Sequence, residues 1–499
     1  MRRRPVLAAV AACAIVAYLG ALGNRFAMDD LYIIVANPLV RSLEGVWRAF
    51  ASPYWPPELG GKLYRPLPVA TYALDWLTTS TVWFHAVNLL WHAGASAAVA
   101  ALARRWAGDS AALVAGLLFA VHPVHVEAVA NVVGRAELMA ALFTLLAVYA
   151  ALERRSAGWS AAALAAGLLC KENAAVAPGL VAWAWVLGFA PPTRRQLGGF
   201  ILAWTAVGAG YLALRWAVLH PYTRLHEVAP VFVGEGPVAM RLTAVAALAD
   251  VARLLVFPLT LRADYSPVER TIVRSVADGR FVLGLLVFGA WLAVVVWAWR
   301  TRRRVEALGL GWVGLAYLPV ANLLIPVGIL VAERTLYLPS AGLVLALGGW
   351  WRDWPARRLF PLLAVLVLAG GLRTALRVPV WRNDVTLTES MLDDSPRSYR
   401  SFSRSGGLLL SARHPDRALE ALRRAIAIYD RDAAVYVAAA DAAFTLGRPA
   451  LADSLLALGD RWCTRCTNLY RVQARAAYSR GDRATAEWLL GLARRIEAR

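Results

Sequence analysis

Residues 281–299 contain no charged side chain. An α-helix rises about 1.5 Å per residue, so about 20 apolar residues cross the hydrocarbon core of a bilayer. We therefore expect this stretch to span a membrane, and the same reasoning applies to ten further apolar runs. These lie near residues 5–23, 86–103, 110–122, 136–151, 158–170, 174–190, 197–219, 305–329, 332–350 and 358–378. The sequence predicts an all-α, polytopic membrane domain with about 11 transmembrane helices.

The composition agrees with a membrane protein and excludes a soluble one. Hydrophobic residues make up 59% of the 499 residues and charged residues 17%, and the mean hydropathy is +0.51. The net charge is +20, and 51 of the 53 basic residues are arginines grouped between apolar runs. This grouping is typical of topology signals, so we expect a lipid bilayer and no nucleic acid as a partner.

The arginine clusters also predict the orientation. Arg2–Arg4 precede the first apolar run and should stay in the cytoplasm, with that run kept as an anchor rather than removed as a signal peptide. Later clusters then fall on the same side: Arg104–Arg105, Arg154–Arg155, Arg194–Arg195 and residues 300–304. The polar loops 24–85 and 220–280 face outward. Residues 240–262 are apolar but interrupted by charges, so we expect an interfacial or re-entrant helix there.

A second domain is predicted from Trp381 onward, where the sequence turns polar and has no membrane-length apolar run. We therefore divide the chain into a membrane domain, residues 1–380, and an extracytoplasmic domain, residues 381–499. Similar hexapeptides at 447–452 and 481–486 are offset by 34 residues, and Ala418, Ala452 and Ala486 keep the same step. This period is typical of tetratricopeptide repeats (TPR), although an irregular helical tail is the simpler alternative. Residues 381–398 are expected to cap the repeats.

The four cysteines do not predict a disulfide framework. Cys13 and Cys170 lie inside apolar runs. Cys463 and Cys466 have the spacing of half a zinc site, but no second ligand pair follows. We expect a local disulfide or two free thiols there.

An acidic pair, Asp29 and Asp30, follows the first apolar run directly. Two carboxylates at the outer end of a helix can act as a general base, bind a metal, or simply be hydrated at the interface. Taken alone, the pair does not distinguish these alternatives.

Three further polar clusters occur where apolar runs end. The first contains His122, His125 and Glu127, followed by Arg135 and Glu137. The two histidines and a glutamate can ligate zinc or manganese, and His125 with Arg135 can equally neutralise a phosphate. The other two clusters are Lys171–Glu172, and Glu333–Arg334 with Tyr337. Lysine beside glutamate can be a simple ion pair or can hold an anionic headgroup, and arginine offers a planar fork for phosphate. Together the clusters predict a site that binds a lipid phosphate and activates a hydroxyl group.

Several motifs resemble the transmembrane and tetratricopeptide-repeat-containing (TMTC) proteins. The matching segments run in order across the membrane domain: Asp29–Asp30 with Asn37–Pro38, Tyr64–Leu67, His85–His92, Leu117–Val129, Val133–Leu138, Leu169–Glu172 and Asn322–Pro339. The resemblance implies a glycosyltransferase of the GT-C class, similar to protein O-mannosyltransferases. Such an enzyme transfers a sugar, with inversion, from a polyprenyl phosphate to Ser or Thr hydroxyls of exported proteins.

The resemblance also implies roles for residues of this chain. Asp29 or Asp30 would be the catalytic base. The residues expected to bind the substrate and its phosphate are Arg65, His122, His125, Glu127, Arg135, Glu137, Lys171, Glu172, Glu333, Arg334 and Tyr337. A donor with a single phosphate does not generally require a metal, so we expect no cofactor and no metal. Apolar segments near 66–77 and 240–262 could hold the isoprenoid tail, and the repeats would present a surface to the acceptor polypeptide.

Two departures from the family pattern concern the acceptor. The tail is much shorter than the repeat arrays of animal relatives, and His125-Val126-Glu127 replaces the more usual His-Thr-Glu. A glycan ligase or polymerase of the same fold, or a non-enzymatic scaffold that recruits partners through its repeats, therefore remains as an alternative. The arginine bias and the short tail favour a bacterial inner membrane, with the site facing the periplasm.

Overall fold

The computed structural model describes residues 3–57, 61–222, 228–462, 467–479 and 481–497, and every regular element in these ranges is a helix. Up to residue 381 the helices are α1 Arg3–Ala17, α2 Gly45–Arg48, α3 Pro66–Asp75, α4 Thr81–Ala120, α5 Val126–Ala130, α6 Arg135–Leu152, α7 Ala157–Cys170, α8 Ala177–Val186, α9 Arg194–Leu219, α10 Pro237–Val256, α11 Gly279–Arg300, α12 Arg304–Tyr317, α13 Tyr337–Trp351 and α14 Ala356–Arg377. The all-α prediction is confirmed.

Helix α4 is two helices joined at Gly108. The φ angle of Gly108 is +87° and its ψ angle is −173°, a conformation that a residue with a Cβ rarely adopts. The chain folds back there, because Val10 of α1 packs against Ala100 before the break and Ala112 after it. The two apolar runs predicted at 86–103 and 110–122 are therefore separate helices.

Five helical segments of the described chain are long and apolar enough to cross a membrane: Thr81–Ala120, Val132–Leu152, Arg194–Leu219, Gly279–Arg300 and Ala356–Trp381. Three of them, α9, α11 and α14, are mostly exposed along their apolar stretch, and Leu202, Leu286 and Leu368 are examples of their exposed side chains. Exposed apolar surfaces of this kind are suited to contact with lipid tails. The remaining apolar helices are shorter, so the expected number of eleven spans is not established by length.

The predicted span at 305–329 is wrong in its second half. Helix α12 ends at Tyr317, just before Pro319, which cannot donate a backbone hydrogen bond. An irregular loop then runs to Ala332, and Asn322 organises it. The side-chain amide of Asn322 donates to the carbonyls of Val320 and Ile329 at 3.2 and 3.0 Å, and its oxygen accepts the N–H of Val327 at 2.7 Å.

The segment expected to be interfacial or re-entrant contains the continuous helix α10. Helix α10 is not among the described helices that are long and apolar enough to cross a membrane. Helix α10 packs closely against α11, since a Cβ on Gly284 would lie 2.0 Å from the carbonyl oxygen of Val245.

The C-terminal region consists of α15 Asp384–Asp394, α16 Tyr399–Ser411, α17 Pro415–Ile428, α18 Ala433–Thr445, α19 Pro449–Asp460, α20 Thr467–Ser479 and α21 Arg483–Glu497. The first helices of the three pairs begin at residues 399, 433 and 467, and the second helices begin at 415, 449 and 483. Both series keep the 34-residue step. Ala418, Ala452 and Ala486 are fully buried at the same position of each second helix, as expected for TPR-like packing.

Helix α15 lies between the membrane domain and the first repeat. Its Asp394 pairs with Arg377 at the end of α14, and Ser401 of α16 donates to the carbonyl of Met391 at 2.9 Å. This position agrees with the predicted cap. Cys13 and Cys170 are free thiols, whereas Cys463 and Cys466 lie outside the described residues.

Candidate functional site

The first acidic residue to consider is Asp30, which is buried at the junction of two loops. One carboxylate oxygen, Oδ1, accepts the N–H of Val133 at 2.8 Å, and Oδ2 accepts those of Ala27 at 3.2 Å and Val132 at 3.4 Å. Burial raises the pKa of Asp30 to about 7, although the three N–H donors oppose this shift. Asp30 therefore joins the segment that follows the first helix to the turn that starts at Val132.

The neighbouring Asp29 is arranged differently. Its side chain is partly exposed and makes no hydrogen bond or ion pair with any residue that the structure describes. It is close enough to Arg334 and Tyr54 to interact with them electrostatically. Of the two carboxylates, Asp29 is the one available to a ligand.

Three cations of the site each have a carboxylate partner. The Arg334 guanidinium contacts Glu127, whose other oxygen accepts the Arg334 backbone N–H at 2.8 Å. The ammonium group of Lys171 contacts Glu137. Arg65 forms two bonds with Glu172, with its Nη2 2.6 Å from Oε1 and its Nε 3.1 Å from Oε2. The predicted clusters are thus brought together by long-range contacts.

These ion pairs also influence one another. Arg65, Glu172 and Arg334 all interact electrostatically with Lys171. Burial disfavours the charged form of Glu172, but Arg65 and Lys171 outweigh this effect and lower the pKa of Glu172 to about 2. Glu172 therefore stays ionised at neutral pH and holds Arg65 in a fixed position.

Arg334 has hydrogen-bond donors that no described residue uses. Its Nη1 and backbone N–H are used by Glu127, but its Nε and Nη2 make no hydrogen bond within the described part of the chain, and its side chain is 22% exposed. Guanidinium donors in this arrangement suit a phosphate oxygen.

Arg135 is fully buried, and its guanidinium group is bonded to other residues of the interior, contrary to the prediction that it binds phosphate. It pairs with Asp75, and its Nε donates to Asn88 at 2.8 Å. Its remaining bonds go to Thr71 at 3.1 Å and to the carbonyl of Phe84 at 2.9 Å. Arg135 therefore ties α3, α4 and α6 together, and a ligand could reach it only by displacing these partners.

The histidines also lie in the interior. His122 Nδ1 accepts the Val124 N–H at 3.3 Å, so its Nε2 carries the proton donated to the Leu255 carbonyl at 2.9 Å. His125 Nε2 lies 2.7 Å from Ser340 Oγ, which donates to the Tyr337 carbonyl, so Nε2 donates to the serine. Both rings are buried and hydrogen-bonded as neutral groups.

Tyr337 belongs to the same interior cluster, because its hydroxyl lies 2.8 Å from His92 Nδ1. The structure therefore does not bring His122, His125 or Tyr337 to the ion pairs in a form that a ligand can contact. Among the described residues, no three His, Cys, Asp or Glu side chains form a group that could hold a metal ion.

Glu333 connects two loops that are distant in sequence. Its Oε1 accepts the hydroxyl of Tyr265 at 2.9 Å and the backbone N–H of Arg262. Because Glu333 directly precedes Arg334, this contact fixes the loop that carries the arginine.

A cleft opens beside these groups and is shared with the first repeat helix. Met28, Glu127 and Arg334 lie on one side, and Asp264, Tyr265 and Arg400 of α16 lie on another. Residues 229–231, 263, 266–267 and 328–332 also line the cleft. Asp264, Tyr265 and Arg400 were not predicted from the sequence, because only the fold brings them into one cleft with Glu127 and Arg334. Chemically, the cleft offers a free carboxylate nearby and an arginine with open donors.

These features define a helical membrane protein in which a charged site formed by loop segments adjoins a TPR-like domain. No protein-family model matches the chain. It is 28% identical over 468 residues to human Protein O-mannosyl-transferase TMTC4, covering 78% of this chain and 61% of that protein. It is 27% identical over 463 residues to human Protein O-mannosyl-transferase TMTC3, covering 83% and 50%.

Protein O-mannosyl-transferase F38B6.6 of Caenorhabditis elegans is 27% identical over 410 residues, covering 79% of this chain and 58% of that protein. The resemblance to the TMTC proteins is confirmed by these matches, and the chain is a homologue of them. It spans 50% to 61% of the length of these three relatives.

Proposed function

We propose that this protein is an inverting glycosyltransferase that moves a sugar from a polyprenyl phosphate to Ser or Thr hydroxyls of exported proteins. The observation that carries the proposal is the state of Asp29. Its carboxylate has no hydrogen-bond or ion-pair partner among the described residues, interacts electrostatically with Arg334, and is followed by the anchored residue Asp30. The names of the relatives support mannose as the sugar.

In the proposed reaction, the acceptor oxygen attacks the anomeric carbon while Asp29 takes the hydroxyl proton. The bond between the anomeric carbon and the phosphate oxygen breaks, and the electron pair leaves with the polyprenyl phosphate. The products are the O-glycosylated residue and the lipid phosphate, and the proton passes from Asp29 to water. General-base assistance of this kind contributes about 10²- to 10⁴-fold to a rate.

Negative charge accumulates on the leaving phosphate, and Arg334 is proposed to stabilise it. Its Nε and Nη2 make no bond to any described residue, whereas Glu127 fixes the rest of the group. Lys171 and Arg65 add positive charge that is already oriented. Fixed donors in a site of low dielectric stabilise charge without reorganising during the reaction. A donor with one phosphate needs no further cation in this scheme, so the proposal assigns no metal or cofactor.

We place the acceptor in the cleft between the membrane domain and α16. Arg400 lines this cleft together with Arg334 and Met28, so a polypeptide held by the repeats would pass close to the residue that precedes Asp29. The arginine clusters favour an extracytoplasmic site, and the arginine-rich composition favours a bacterial inner membrane.

The direct test is a transfer assay. Membranes containing the full chain are incubated with radiolabelled undecaprenyl-phosphate mannose and a peptide rich in serine and threonine. We expect label on the peptide, and mass spectrometry should find hexose on Ser or Thr of exported proteins only in cells that carry the gene. Label on a glycan instead would identify a ligase or polymerase. Absence of donor binding, with a partner captured through the repeats, would identify a scaffold.

The orientation is tested separately. Tyr32, close to the acidic pair, is 48% exposed, and Arg302 lies in the predicted cytoplasmic cluster. In a background with all four cysteines replaced by serine, Tyr32→Cys should react with an impermeant maleimide applied outside, and Arg302→Cys should react only after permeabilisation. The reverse pattern would exclude an extracytoplasmic site.

A further inference from the structure

We propose that Asp384 is a positioning residue for Asp29 and couples it to the first repeat helix. This inference rests on the proposed function of Asp29. Asp384 is the first residue of α15 and lies outside the predicted membrane domain. Its Oδ1 accepts the backbone N–H of Met28, the residue before Asp29, at 2.6 Å.

The same oxygen of Asp384 also contacts the repeat domain. Nη2 of Arg404, on α16, lies 2.7 Å from Oδ1. A single carboxylate oxygen thus receives one donor from the first outer loop and one from the repeats. The two side chains are 21% and 23% exposed, so the pair is partly shielded from water.

Met28 needs such an anchor because of its backbone conformation. Its φ angle is +57°, in the left-handed region that a residue with a Cβ rarely occupies unless other contacts hold it there. A second bond supports the same segment, since the N–H of Arg25 donates to the carbonyl of Arg382 at 2.7 Å. Segment 382–384 therefore holds the chain that leads into Asp29.

Asp29 is consequently fixed from both sides. Asp384 holds the residue before it, and the residue after it, Asp30, is bonded to Val132 and Val133. A base that is already held in its reactive position needs little additional free energy to reach it. Misplacement by about 1 Å can reduce a rate about 10²-fold. Movement of α16 would reach Asp29 through Arg404 and Asp384.

The chain offers a matched control in Asp394. It lies at the other end of α15 and forms an ion pair with Arg377 of α14, but it makes no hydrogen bond or ion pair with the described residues of the loop 24–85. Asp394→Asn therefore weakens the junction between the two domains without touching Met28. A purely structural role of Asp384 would make both variants behave alike.

The experiment compares Asp384→Ala, Asp384→Asn and Asp394→Asn in the full-length, detergent-solubilised protein. With undecaprenyl-phosphate mannose, we expect Asp384→Ala to lower kcat by about 10- to 100-fold, while KM for the donor changes less than about twofold. Asp384→Asn keeps an acceptor for Met28 and should lose less. Asp394→Asn should stay within about twofold of the wild type. Arg404→Gln should reproduce part of the loss.

Hydrogen–deuterium exchange provides a readout that does not depend on activity. Peptides covering residues 25–31 should exchange faster in Asp384→Ala but not in Asp394→Asn. Unchanged exchange or unchanged kcat in Asp384→Ala, or equal losses in both variants, would overturn the inference. If the wild type transfers no sugar, the proposed function fails, and the exchange data alone then decide whether Asp384 holds this segment.

Discussion

The carboxylate of Asp30 accepts the backbone N–H of Val133 at 2.8 Å, across 103 residues of sequence. Two further N–H groups share this carboxylate, so Asp30 is committed to joining loops. The side chain of the adjacent Asp29 accepts no such hydrogen bond from any described residue. The two acids, which are indistinguishable by sequence, therefore differ in what they can do.

We predict that Asp29→Asn lowers transfer by about 10²- to 10⁴-fold while the protein inserts and melts normally. The reason is that Asn cannot accept the proton, and the side chain supports no contact among the described residues. Asp30→Asn should retain measurable transfer but melt at a lower temperature. Activity and thermal unfolding of both variants, measured on the same preparations, check this. Full activity of Asp29→Asn would refute its assignment as the base.

The raised pKa of Asp30, about 7, predicts how stability depends on pH. Between about pH 4 and pH 7 the folded chain holds a proton at Asp30 that the unfolded chain has released. Stability from this group is therefore fully present below about pH 4 and is lost as the pH rises to about 7. Unfolding of the wild type and Asp30→Asn over this range should show a slope in the wild type that the variant lacks. Parallel slopes would show that Asp30 titrates normally.

Replacement of Arg334 by lysine should lower kcat by about 10²-fold even though the charge is kept. Arg334 contacts Glu127 through one part of its planar guanidinium group, while its Nε and Nη2 make no bond to any described residue. Lysine lacks this planar fork. The matched control is Arg105→Lys, because Arg105 also pairs with a glutamate, Glu153, at a site unrelated to the cleft. Steady-state kinetics with both variants test this. A loss confined to KM would indicate that Arg334 binds the donor equally before and during the reaction.

Removal of the His122 side chain should affect stability rather than chemistry. His122→Ala leaves the carbonyl of Leu255 and the N–H of Val124 without a partner, and an unsatisfied buried group typically costs about 1–3 kcal/mol. Thermal unfolding should register this loss, while KM for the donor stays near that of the wild type. A large rise in KM at unchanged stability would restore the prediction that His122 binds phosphate.

Much of the fold follows from local sequence. The apolar runs, the break at Gly108 and the 34-residue step are properties of short segments, and the structure contains each of them. The end of α12 was missed, because the bonds of Asn322 that form the following loop depend on residues up to 7 positions away. Apolar composition alone did not reveal this loop.

The candidate site was harder to predict. The sequence marks Arg65, Arg135, Lys171 and Arg334 as unusual cations near apolar runs, but it does not tell which are exposed to a ligand. Arg135 is enclosed by partners on α3 and α4, whereas Arg334 retains free donors. Contacts such as those of Asp384 with Met28 join residues 356 positions apart, and no periodicity in a single sequence reports them.

The pairing of each cation with a carboxylate bears on turnover. Arg65, Lys171 and Arg334 are neutralised by Glu172, Glu137 and Glu127 before any donor arrives. In the proposed reaction, an arriving phosphate must compete with these acids, and the departing lipid phosphate meets the same competition. The pairing therefore lowers the affinity for the donor and for the dianionic product alike, which favours release of that product after each transfer.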